Sequence, residues 1–137
     1  MSVKKSFVLD ACAVIAYLND EEGAQKIDDL IHESTEFEIA AINALEVAYD
    51  SVKVTGSVSA ASEVLDAITR MPCRIEWELN RQAFLVAAMF KAQNRISLAD
   101  SVALAFAKVT GKGLLTSDHH EFDTLAKRGE VDIIWIR

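Results

Sequence analysis

Cysteine is scarce in this chain of 137 residues. Only Cys12 and Cys73 occur, each in an apolar setting and neither in a C-x-x-C pair, which argues against a zinc site or a disulfide framework. Positive charge is short as well. Lys and Arg number 14 against 21 Asp and Glu, giving a net charge of −7 and a pI near 4.9. That balance excludes a broad basic surface as the means of gripping nucleic acid, although a local patch or bound cations stay open. Every long apolar run is broken by charge before it reaches membrane-spanning length, and the opening MSVKKSFVLDAC lacks the extended apolar core and small-residue cleavage site of a signal peptide. A cytoplasmic protein with no membrane partner is expected.

What is present is a folded domain's composition, 51% apolar and 26% charged, at a length that supports one core and not two. Linkers, repeats and low-complexity segments are missing, so residues 1–137 are expected to form a single domain. Short apolar runs alternate with helical patterns from end to end. SFVLD leads into ACAVIAYL, and EEGAQKIDDLIHES is amphipathic, with Ile27, Leu30 and Ile31 on one face. FEIAAI reads as the second strand, followed by a helix over NALEVAYDSVKVTG that Gly56 stops, and by one that Ser57 or Ser59 opens and Pro72 ends. CRIEW is the third strand, and helices started by Asn80 and Ser97 follow it. GLLTS, HHEFDTLAKRG and VDIIWI complete the chain as strand, short helix and strand. Because parallel strands require crossover connections, this order predicts an α/β fold with a mostly parallel five-stranded sheet between two layers of helices.

In such sheets, sites form beyond the carboxyl ends of the strands. Acid recurs there: Asp10 ends the first strand, Asp118 follows the fourth, Glu46 lies early in the helix after the second, and Asp100 starts the helix before the fourth. Each has a plain local explanation. Asp10 suits an N-cap, Asp118 with Glu121 and Ser97 with Asp100 fit capping boxes, and Glu46 suits a solvated helix face. Asp100, however, sits on a helix that is apolar nearly all round, where an ionised carboxylate needs hydrogen bonds or a cation. If all four converge, their repulsion calls for a positive partner. An oxygen-only set suits a hard cation, Mg²⁺ or Mn²⁺, and the expected chemistry is hydrolysis of a phosphodiester by metal-activated water.

FVLDACAVIAYL, INALEVAYD, ISLADSVALAFAK and LLTSDHHEF occur in the order and approximate spacing of the PIN-domain nucleases, and over essentially its whole length the chain resembles the VapC-type ribonuclease toxins of bacterial toxin–antitoxin pairs. The resemblance implies a PIN-like three-layer sandwich and an acidic quartet of Asp10, Glu46, Asp100 and Asp118 around Mg²⁺ or Mn²⁺. It places Thr116 where a hydroxyl residue orients a water or the last carboxylate. It further implies RNA as substrate and a VapB-type antitoxin as partner. Asn43 is expected to cap its helix. Asp123 is a possible outer-shell group, and His119 and His120, whose side chains splay about 100° apart on a helix, are expected at the surface. Lys53, Arg81, Lys91, Arg95, Lys108 and Lys112 are the candidate RNA-binding cations. Apolar excess at Val47, Val54, Val58, Val64 and Leu65 suggests a homodimer.

Rival classes fit less well. A housekeeping PIN nuclease without an antitoxin looks the same in sequence. A receiver-like signalling module needs an acidic pair at the first strand and an Asp at the third, and a haloacid-dehalogenase-like phosphatase needs D-x-D-x-T; neither pattern occurs. A non-catalytic PIN fold is disfavoured because all four acids are present.

Overall fold

A computed structural model describes residues 5–33 and 35–137. Five strands, β1 (Ser6–Leu9), β2 (Glu36–Ala40), β3 (Cys73–Glu76), β4 (Gly113–Thr116) and β5 (Ile133–Trp135), form one sheet in the order β3-β2-β1-β4-β5. All four ladders are parallel, so the sheet is entirely rather than mostly parallel. The helices are α1 (Ala11–Leu18), α2 (Ala24–His32), α3 (Ala41–Thr55), α4 (Ser59–Arg70), α5 (Arg81–Gln93), α6 (Leu98–Thr110) and α7 (His119–Arg128). The order differs from the 2-1-3-4-5 sheet of flavodoxin-like receivers, which removes that reading.

The period of two along each strand divides the core between the two faces. Leu9, Phe37, Ile39 and Leu115 meet Val14, Ile27, Val47 and Ile68 on the side of α1 to α4. Val8 and Leu114, their neighbours in sequence, meet Phe90, Leu104, Phe122 and Leu125 on the side of α5 to α7. The result is the expected three-layer sandwich. Helix α6 is the buried one: Ala103, Leu104 and Ala105 are wholly inaccessible, and its alanines let it lie close between α5 and the sheet. Among the described residues, no helix is long and apolar enough to cross a membrane.

Two helix starts differ from expectation. β2 ends at Ala40, and α3 begins at once with Ala41, so Asn43 lies inside the first turn, wholly buried, and not at a cap. A short apolar run such as FEIAAI fits strand and helix equally, and only the ladder, whose last pair is Ala40 with Glu76, divides it. At α4 the N-cap is Val58, and the hydroxyls of Ser57 and Ser59 bond each other at 2.7 Å instead of capping.

One charge is buried away from the strand ends. Glu38 on β2 is only 3% exposed and accepts from Arg74 at 2.5 Å, with Lys112 at 3.4 Å. Arg74→Ala removes the nearer partner and leaves a buried carboxylate on one lysine. Because the arginine is itself largely solvated, the expected loss is about 1–3 kcal/mol, to be read from urea unfolding midpoints. An unchanged midpoint refutes it.

Candidate metal centre at the carboxyl rim of the sheet

The strand order reverses direction at β1 and β4, the place where open parallel sheets build their sites. Asp10, next after β1, is the N-cap of α1 and only 1% exposed. Its Oδ1 accepts from the Ala13 amide at 2.9 Å, and its Oδ2 accepts a short hydrogen bond from the Thr116 hydroxyl at the end of β4. Thr116 Oγ1 in turn accepts from the Asp118 amide at 3.0 Å. Asp118 caps α7 through Oδ1, which accepts from the Glu121 amide at 3.1 Å. Asp100 lies in the first turn of α6, its amide donating to the Ser97 hydroxyl at 3.0 Å. Glu46 stands in the second turn of α3, exposed.

Three carboxylates meet closely here, while Asp10 and Glu46 lie outside that group and within its electrostatic reach. One oxygen each of Asp100, Asp118 and Glu121 lie within 4.8 Å of one another. Burial pushes the Asp10 carboxyl from 3.8 up to about 7, against the hydrogen bonds from Thr116 and Ala13 and with the help of the charges on Asp100 and Asp118. Asp100 is raised to about 6, again chiefly by burial, then by Asp118, Glu46 and Glu121. Glu46 is raised by burial and eased by the Asn43 side chain. The thiol of Cys12 registers the whole group: burial first, then the charges of Asp10, Asp118, Asp100 and Glu46, push it up to about 12.

Glu121 is the residue that local sequence reasoning assigns to another duty. A capping box needs its side chain to accept from the Asp118 amide, but Thr116 Oγ1 holds that amide, and Glu121 Oε2 is buried without a partner. Asn43 was likewise underrated. Its Nδ2 donates to the Ala99 carbonyl at 3.1 Å, tying α3 to α6 between Glu46 and Asp100. Its position one turn before Glu46 was the available signal.

Around the rim, His119 and His120 are exposed as expected, and His119 bonds Asp123 at 3.0 Å, so Asp123 anchors a histidine. That bond and one to the Arg137 main-chain oxygen raise the His119 pKa, the latter more. Most of the candidate cations lie elsewhere. Lys108 and Lys112 sit where α6 ends and β4 begins, Lys53 is in the last turn of α3, and Arg81 starts α5 beside Asn80, which shares a cavity with Thr110 of the last turn of α6. Lys91 is bound to the Ile96 carbonyl at 2.5 Å, which leaves Arg95, exposed in the link before α6.

A family model described as PIN domain matches residues 7–128. The chain belongs to the PIN-domain family. No curated protein matches its sequence. Among solved structures, the PIN fold is shared with the DNA-bound VapBC complex from Salmonella typhimurium at a TM-score of 0.73 and 18% identity, covering 98% of this chain and 100% of that one. A toxin–antitoxin complex from Klebsiella pneumoniae superposes at 0.70 with 14% identity, covering 95% and 97%. VapC20 from Mycobacterium tuberculosis, a sarcin-ricin loop cleaving toxin, superposes at 0.66 with 12% identity, covering 86% and 94%. At these identities the likeness is one of fold.

The raised Asp10 value fixes a sign. The native state keeps this proton up to about pH 7, whereas the unfolded chain releases it near 3.8, so stability is lost as pH rises through that window. In chelator, the unfolding temperature of Asp10→Asn is therefore expected to climb relative to the parent protein across that range. A constant difference sinks the assignment.

Proposed function

We propose that this PIN-domain chain is a divalent-metal-dependent endoribonuclease and the toxin of a VapBC-type pair. The observation that carries the reading is the meeting, at one strand-order reversal, of carboxylates drawn from both ends of the chain, with no cationic side chain among the described residues acting on Asp10 or Asp100 to balance the charge. The donor set fits a hard cation. It is all oxygen, three of its members come within 4.8 Å of one another, and one buried carboxylate oxygen lacks any partner. Asp10, Glu46, Asp100 and Asp118 would hold Mg²⁺ or Mn²⁺, and Glu121 adds a fifth carboxylate on the same side.

A cation bound there supplies Lewis-acid polarisation of a phosphodiester and activation of water. The chain's own residues do the rest. Thr116 holds Oδ2 of Asp10 in place, and the N-cap bond from Ala13 holds Oδ1, so this carboxylate presents a fixed edge. Asn43 eases the charge on Glu46 and binds α3 to α6. Asp10 and Asp100, both raised toward neutrality, give up protons when a cation is taken up, so metal affinity rises with pH. Ribonuclease chemistry and an antitoxin partner are supported by family membership and by the likeness to the VapBC complexes and to VapC20.

A homodimer is part of the same reading. Val47 and Val64 belong to the core and drop out of the argument, while Leu45, Tyr49, Val54 and Val58 stand 65%, 65%, 78% and 83% exposed along α3 and its turn into α4. A second apolar group, Trp77, Leu79, Phe84, Leu85 and Leu98, lies between β3 and α6.

Incubated with total RNA, the protein is expected to cut in Mn²⁺ and to slow by about 100-fold or more in chelator or as Asp100→Asn. Cleavage indifferent to both would remove the proposed mechanism. In light scattering the chain is expected at twice its 15.1 kDa mass, and a monomer at micromolar concentration rules the dimer out.

A further inference from the structure

Beside the carboxylates lies a ring pair that the metal chemistry does not use. Trp135 is the register partner of Thr116 across the β4–β5 ladder, and neighbouring strands run about 4.8 Å apart, so its ring stands one strand away from the Thr116–Asp10 bond. His119, next after Asp118, stacks on that indole with centroids 3.8 Å apart and planes within 14°. Its Nδ1 meets Asp123 Oδ1 at 3.0 Å and its Nε2 meets the Arg137 main-chain oxygen at 2.9 Å. The imidazole is thus fixed at both nitrogens and backed on one face, yet its side chain is 49% exposed. With both nitrogens engaged and one face against Trp135, that exposure falls to the outer face and the carbon edge of the ring.

Fastening α7 to the chain after β5 accounts for the bond to Arg137, and an i,i+4 pair within α7 accounts for the bond to Asp123. Neither accounts for a rigid aromatic plane turned to solvent at the edge of an acidic cup. One cation lies close by: Lys26 donates to the Trp135 carbonyl at 2.7 Å, whereas the Arg137 guanidinium is taken up by the Glu22 carbonyl at 3.0 Å and the Glu21 carboxylate at 3.5 Å.

We infer that the outer face of His119, supported by Trp135, is a stacking subsite for one unpaired nucleobase of single-stranded RNA, adjacent to the phosphodiester that the carboxylates address. This rests on the ribonuclease reading above. Base-on-aromatic stacking is tolerant of sequence, and an unpaired base is what single-stranded RNA offers. Lys26, held at the Trp135 carbonyl, is a cation available to a phosphate flanking such a base.

The test uses the full chain in the Asp100→Asn background, so that RNA is bound and not cut. A fluorescein-labelled single-stranded RNA decamer and an abasic decamer of the same backbone are titrated in Mn²⁺ and followed by anisotropy. His119→Ala and His119→Gln are each expected to weaken the base-bearing decamer about ten-fold, and His119→Phe to restore it, because Gln keeps a hydrogen-bonding side chain without a ring and Phe keeps the ring alone. The abasic decamer should bind all four proteins alike. A Gln variant that binds like its parent, or a Phe variant as weak as Ala, overturns the subsite. A second measurement needs no change at His119. Trp77→Phe leaves Trp135 as the only tryptophan, and its emission is expected to shift on adding the base-bearing decamer but not the abasic one; equal response to both also overturns the proposal. Cleavage of total RNA by the parent protein is a separate readout, so the subsite and the nuclease reading fail independently.

Discussion

Carboxylates that a fold has gathered repel one another, and at the junction of β1 and β4 the counterweight is supplied by the starts of helices. Asp10 caps α1, Asp118 caps α7, and Asp100 lies in the first turn of α6, so three N-termini bring amide dipoles to bear on the same small volume. Backbone amides engage one oxygen of Asp10 and one of Asp118, and the Thr116 hydroxyl engages the other oxygen of Asp10. The rest of the architecture serves this arrangement. A parallel sheet forces each crossover to start at the carboxyl end of a strand, α6 must be buried for Asp100 to reach the rim, and its run of alanines lets it lie that close.

The same logic explains why two readings of one residue proved compatible. Asp10 was weighed as a helix cap against a metal-facing acid, and it is an N-cap whose position at a strand end also brings it to the rim. Sequence was informative here because capping preference and strand-end placement are both local. Glu121 was misread for the complementary reason. D-x-x-E matches a capping box, and only a tertiary fact, that the hydroxyl of Thr116 already holds the Asp118 amide, frees the glutamate for other contacts.

Elements longer than a strand were legible throughout, because apolar spacing fixes their type; the alternation of strands and helices led directly to the three-layer sandwich. Boundaries were less so, as at Ala40, where a shared apolar run conceals the passage from strand to helix. The cations were the least legible. Whether Lys108 or Arg95 stands near the rim depends on the direction in which α6 runs, and charge counts carry no direction. The contact of His119 with Trp135 depends on the β4–β5 ladder, which no local pattern announces.

Cys12 shows the reach of this crowded negative field. The residue is half-buried in the first turn of α1, and burial first, then the surrounding acids, push its thiol up to about 12. Peroxides and alkylating agents attack the thiolate, so a sulfur at the brink of this acidic rim is chemically silent. Burial, reinforced by the repulsion among these acids, thereby shields the neighbouring cysteine from oxidative damage.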